Sequence, residues 1–251
     1  MVECHAMIIA HSPPVDAPGI THFQVFGERR SGTNYLRVLL EQNFDITPVF
    51  HYGWKHGFMT APAVSSRALI VGIVRNPVDW LISMNATPFA TVERLKDLPF
   101  GTFIRAPWEG VARPAGQGWR VAGYRQDLSL RGEVLQLDRH PIEGRPFRNV
   151  LELRRTKLQG LLGLTQRVTH AAILRHEDAR DDPAGVIAAL AARFELAAAN
   201  TLSLPDGYVG NKSNPKRINR WDICAEDRAW ISTELDLDLE HRCGYVPSFE
   251  K

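Results

Sequence analysis

At 251 residues the chain is long enough for one fair-sized domain with a buried core, and 44% hydrophobic residues suit a soluble globular protein. The formal charge is only +2, but the 30 basic residues are 24 arginines and 6 lysines, and arginine is the better residue for bidentate contact with phosphate or sulfate oxygens. Cys4, Cys224 and Cys243 are far apart and odd in number, with no CxxC and no His/Cys cluster, which argues against a disulfide scaffold or a zinc site.

In chain order, the first twenty residues lack a basic n-region, and their apolar run is broken by His11, Pro13 and Pro14. They read as neither signal peptide nor membrane anchor, and a cytoplasmic protein is expected. Residues 22–27, HFQVFG, form a short apolar run ending in glycine. The following TNYLRVLLEQNF places apolar residues at 35, 36, 39 and 40, the helical spacing. A second unit repeats this order. RALIVGIV (67–74) is a continuous apolar run typical of a strand buried on both faces, and RNPVDWLISMNA opens a helix with Asn76 as N-cap and Pro77 at its first position. Two such units predict a parallel sheet with helices on its faces.

Residues from about 87 to 148 are rich in Gly, Pro, Arg and aromatics and weakly periodic, so they read as loops and short elements laid over the sheet, where acceptor specificity often resides. NVLELRRTKLQGLLGL then predicts a helix, HAAILRHED a strand, and DDPAGVIAALAARFEL a helix capped by Asp182. A polar basic loop (207–221) precedes a last amphipathic helix, AEDRAWISTELDLDLEHRCGY.

The stretch FGERRSGTNY carries the chemistry. Gly27, four residues, then Gly32 and Thr33 is the frame of a phosphate loop, but a nucleotide-triphosphate loop has a lysine between the second glycine and the hydroxyl residue. Here the cation is Arg30, two residues before Gly32. The helix N-terminus at residues 31–34 still offers free N–H groups and its dipole to an anion. The second strand ends in Arg75, where magnesium-dependent enzymes usually have a metal-organising aspartate. The expected ligand carries two separated anionic groups and needs no magnesium.

RRSGTNY resembles the 5′-phosphosulfate loop of sulfotransferases that use 3′-phosphoadenosine 5′-phosphosulfate (PAPS). IVGIVRNPVDWLISM resembles their 3′-phosphate motif, an arginine ending a strand and a serine eight residues on. GWKHGF, LRHED with the later DP and RF, and LEHRCGY are similar to further segments of bacterial members, leaving only about 87–148 uncovered. The resemblance implies an α/β protein, a single domain over 1–251 with a central mainly parallel sheet in the P-loop NTPase-like sulfotransferase fold, and 87–148 as an acceptor-binding insertion. It implies a cofactor site for PAPS, with adenosine 3′,5′-bisphosphate (PAP) as product and no metal. Arg29, Arg30, Ser31, Gly32, Thr33 and Asn34 would hold the 5′-phosphosulfate, with Arg30 stabilising the leaving group. Arg75 and Ser83 would hold the 3′-phosphate; the family's later basic contact has no clear copy, and Lys212, Lys216 and Arg217 are either candidates for it or a solvated basic loop. Tyr35 is either an adenine-stacking platform or a core residue. His56 is the first choice of base because histidine titrates near neutral pH. His51 and Glu28 are its rivals, and Lys55 would help neutralise the phosphosulfate. Glu177 and Asp178, adjacent on an expected strand, read as structural.

The expected acceptor is a small molecule or glycan, and Trp108, Trp119, Arg120 and Arg125 are either candidate lining residues for a sugar or core and surface positions. Two other readings stand beside this one. One is a P-loop kinase or nucleotide hydrolase. The other is a non-catalytic anion-binding module, for which nucleic acid is not the expected partner because the arginines form no single stripe.

Overall fold

A computed structural model describes residues 9–10, 19–112, 133–206, 218–246 and 249. The elements in chain order are β1 (Ile9–Ala10), β2 (His22–Gly27), α1 (Thr33–Asn43), β3 (Thr47–Pro48), β4 (Ala68–Val74), α2 (Pro77–Ala86) and α3 (Phe100–Arg105). They continue with β5 (Gly110–Ala112), β6 (Leu135–Leu137), α4 (Val150–Arg167), β7 (His170–Arg175), α5 (His176–Asp181), α6 (Pro183–Phe194), α7 (Ala225–Glu234) and α8 (Leu237–Arg242).

The architecture is α/β. The central sheet has the order β1-β7-β4-β2-β3, in which the last four strands are mutually parallel and β1 is antiparallel to β7. Every residue of β4 is buried, because the strand is covered on both faces. Its alternation sorts the side chains. Leu69, Val71 and Ile73 pack with Leu36, Leu39 and Leu40 of α1 and with Val186, Ile187 and Leu190 of α6. Ala68, Ile70 and Val74 pack on the opposite face with Leu158, Leu161 and Leu162 of α4. A third cluster, built on Trp80, Phe103, Trp108, Phe147 and Ile231, joins α2, α3 and α7 to the start of α4.

The expected caps form. The Asn76 side chain accepts from the amides of Val78 and Asp79, and Asp182 accepts from Gly185. Two boundaries differ from the sequence expectation. The strand beginning at His170 stops at Arg175, so Glu177 and Asp178 lie on α5. The last helix is broken in two at Leu235–Asp236, where Asp236 caps α8 by accepting from Leu239 N. Among the described residues no helix is long and apolar enough to cross a membrane.

Candidate functional site

The parallel register brings the carboxyl ends of β2, β4 and β7 to one edge: Gly27 pairs with Ile73, and Val74 with Arg175. The residues that follow each strand therefore meet, as the geometry of open parallel sheets requires. After β2 the chain turns sharply. A Cβ on Gly27 would stand 2.5 Å from the Ile73 carbonyl oxygen, so only glycine lets the loop leave this close to β4. Arg30 (φ 66°) and Gly32 (φ 93°) are both left-handed, and α1 begins at once. Gly32 provides no capping side chain, and the first turn of α1 has no acidic residue, leaving its amides and dipole to an external anion.

Cationic side chains converge on this end. Arg30 Nε donates to Ser83 Oγ at 3.0 Å, and Arg75 Nη1 donates to the Arg30 carbonyl at 3.0 Å. The two residues read as a 3′-phosphate pair thus adjoin the loop itself. Lys55 Nζ donates to Asn34 Oδ1 at the first turn of α1, and burial followed by the nearby Arg37 charge lowers the Lys55 pKa. The segment carrying Lys55 is pinned to the loop by Gly27 N donating to Lys55 O at 2.9 Å.

His56 Nδ1 lies 3.0 Å from the Gly27 carbonyl. A carbonyl only accepts, so Nδ1 carries the proton and Nε2 keeps the lone pair. Burial, reinforced by Arg29, pushes the His56 pKa down to about 3, against the opposing hydrogen bond to Gly27. His176, the first residue after β7, completes the ring. Its Nδ1 is buried without a hydrogen-bond partner among the described residues, and a Cβ on Gly32 would stand 2.5 Å from it. Burial and then the Arg75 charge lower its pKa to about 4. Reading 170–178 as one strand hid this residue, although the end of a third parallel strand was the signal that could have found it.

Several expected residues face elsewhere. Arg29 is buried, ion-paired to Asp138, and lies 4.7 Å from the Trp54 ring centroid, so it braces the loop from beneath instead of binding a ligand. Ser31 is fully buried, and its hydroxyl donates to the Glu28 carbonyl at 2.6 Å, closing the turn. Glu28 is 2% exposed and paired with Arg154, which removes it as a base for an incoming acceptor. His51 is exposed and packs with His22 and Tyr52, at the opposite end of β2 from the loop. Thr33 is buried. Tyr35 is half-buried against the α1–α6 core. Trp108 is buried beside Phe103 and Arg29, not open to a sugar. Glu177 and Asp178 are structural, though on a helix. Glu177 accepts from Asn76 N and Tyr245 Oη, and Asp178 pairs with Arg175.

Lys212, Lys216, Arg217, Trp119, Arg120 and Arg125 lie outside the described residues. Where the description resumes after the basic loop, Arg220 Nη2 donates to Asn76 Oδ1 at 2.9 Å and pairs with Asp79 at 3.1 Å, beside Arg75.

The chain matches no protein-family model, and no curated protein or solved structure is significantly similar to it.

Proposed function

We propose that the protein is a sulfotransferase that moves the sulfuryl group of PAPS to a hydroxyl or amine of a small-molecule or glycan acceptor. The observation that carries this reading is the meeting of Arg30, Ser83 and Arg75 at the uncapped N-terminus of α1. A single phosphate would need the loop alone. Two guanidinium groups and a hydroxyl, reached from two strands, suit a ligand with two anionic groups.

The donor fits the residues present. The first-turn amides of α1, Arg30 and Lys55 would hold the phosphosulfate, and Arg75 with Ser83 the 3′-phosphate. In the reaction the acceptor oxygen or nitrogen forms a bond to sulfur while the bond from sulfur to the bridging oxygen breaks, leaving PAP. The acceptor's proton passes to His56 Nε2. Arg30 stabilises the charge on the departing oxygen without giving up a proton, since guanidinium stays charged. The low pKa of His56 comes first from burial and then from the Arg29 charge; a polyanionic donor opposes the cationic part of that field and makes His56 a stronger base.

A thermal-shift titration tests this reading, comparing PAP with ATP in the presence and absence of magnesium. At a hundredfold excess over the dissociation constant, binding stabilises the fold by about 2.7 kcal/mol, several degrees in Tm. A shift with PAP alone supports the sulfotransferase reading. A shift confined to magnesium and ATP replaces it with a kinase or hydrolase, and no shift with either defeats both.

A further inference from the structure

We propose that Arg154, on α4 and remote in sequence from both anion-binding segments, is the positioning residue that fixes the distance between them. The proposal rests on the two-anion reading of the site. Arg154 is 1% exposed, and each of its three guanidinium nitrogens donates a hydrogen bond. Nη1 donates to Glu28 Oε2 at 2.7 Å, Nε and Nη2 donate to the two Glu240 oxygens at 2.5 and 2.7 Å, and Nη2 also donates to the Arg75 carbonyl at 2.9 Å. Its guanidinium carbon lies 5.1 Å from the Trp80 ring centroid, and Trp80 Nε1 donates to the Arg29 carbonyl at 2.8 Å. One side chain and the ring it packs on therefore grip the phosphate loop at Glu28 and Arg29 and the end of β4 at Arg75.

A buried ion cluster of this kind adds little net stability over a well-packed apolar one, because desolvation offsets the attraction. Its geometry is another matter. A planar fork bound to three groups defines their separation, which an apolar contact does not. The groups it spaces are the backbones that carry Arg30 and Arg75, and these are the side chains that must meet two anions a fixed distance apart. Lys157, one turn further along α4, repeats the arrangement: its Nζ donates to Asp138 Oδ1 at 2.8 Å and to the His56 carbonyl at 2.7 Å.

The test uses the full-length chain with Arg154→Lys, which keeps the charge and loses the fork, and with the milder Glu28→Gln, which carries the same test if the first variant does not fold. Each is titrated with PAP, adenosine 5′-monophosphate and adenosine 3′-monophosphate. Loss of spacing weakens PAP at least tenfold and leaves each monophosphate within about twofold, since each needs one segment only. An equal fall for all three ligands, or no fall for PAP, overturns the proposal. Amide hydrogen exchange on the free protein decides the same point without ligand. Faster exchange at 27–33 and 75–80, with 183–194 unchanged, is expected, and unchanged exchange at the first two segments overturns the proposal. A wild-type chain that binds PAP no better than either monophosphate sinks the two-anion reading instead, and the exchange result still judges Arg154.

Discussion

Arg75 donates to the backbone carbonyl of Arg30 at 3.0 Å, while the Arg30 side chain turns to Ser83, so each of the two segments proposed to bind anions supports the other. Removing Arg75 thus deletes a charge and loosens the loop together. Arg75→Ala is expected to weaken PAP binding by 10- to 100-fold, about 1.5–3 kcal/mol for a charged hydrogen-bonding group, and to weaken adenosine 5′-monophosphate by much less. Isothermal titration of both ligands checks this, and equal losses would break the assignment of Arg75 to the second anion.

The left-handed backbone of Arg30 separates its structural and chemical contributions. Arg30→Gly removes the steric penalty of positive φ, whereas Arg30→Ala keeps it, so the glycine variant should be the more stable by about 1 kcal/mol. Both should lose at least a hundredfold in transfer rate if the guanidinium stabilises the leaving group. Denaturant midpoints and single-turnover rates read the two effects independently.

Gly27 and Gly32 are tight for different reasons. At Gly27 an added methyl meets a backbone oxygen that cannot move, and Gly27→Ala should destabilise by about 1–3 kcal/mol. At Gly32 the obstacle is the His176 ring, with positive φ as a second cost. His176→Ala should therefore restore part of the stability lost in Gly32→Ala and none of that lost in Gly27→Ala. Thermal melts of the single and double variants test this, and strict additivity at Gly32 would contradict the contact.

Between neutral pH and about pH 4.5, acidification acts chiefly through His56, His176 and Glu28. His56 and His176 have folded-state pKa values below the ordinary 6.5, about 3 and about 4, so the stability they contribute is present above pH 6.5 and lost as pH falls toward those values. Glu28 works the other way. Burial raises it from 4.5 to about 7, so its contribution is full below pH 4.5 and is lost as pH rises through 7. Between pH 6.5 and 4.5 two histidines oppose one carboxyl, and net stability should fall with pH. Glu28→Gln should steepen that fall and His56→Gln should flatten it, as seen in melting temperature against pH.

A polyanion bound at this edge favours the protonated histidines. PAP binding near pH 5 should take up protons, measured as a buffer-dependent binding enthalpy, and His176→Asn should reduce the uptake. Buffer-independent heats would remove His176 from the site.

Much of this was legible in the sequence. Strands β2 and β4 were readable because continuous apolar runs mark burial on both faces, and the sharp turn after β2 and the start of α2 because the loop glycines and the Asn76–Pro77 cap are local signals. The inward turn of Glu28 and Arg29 was not. Their partners, Arg154 and Asp138, are over a hundred residues away, and a charged residue on a helix or loop reads as solvated until its counter-ion is known. The same holds for Arg154 and Lys157, which interrupt the apolar pattern of α4 yet are buried. The break at Asp236 escaped notice because a cap within a continuous amphipathic pattern looks like one more polar position.

The short edge strand β3 has a consequence of a different kind. Thr47 N and Val49 N donate inward to the carbonyls of Thr21 and Phe23, so the residue between them presents its nitrogen to the open side of the sheet. That residue is Pro48, which has no hydrogen there to give. A neighbouring molecule approaching this margin finds its hydrogen-bonding row interrupted, and strand-by-strand growth into aggregates is discouraged where a parallel sheet is otherwise most exposed to it.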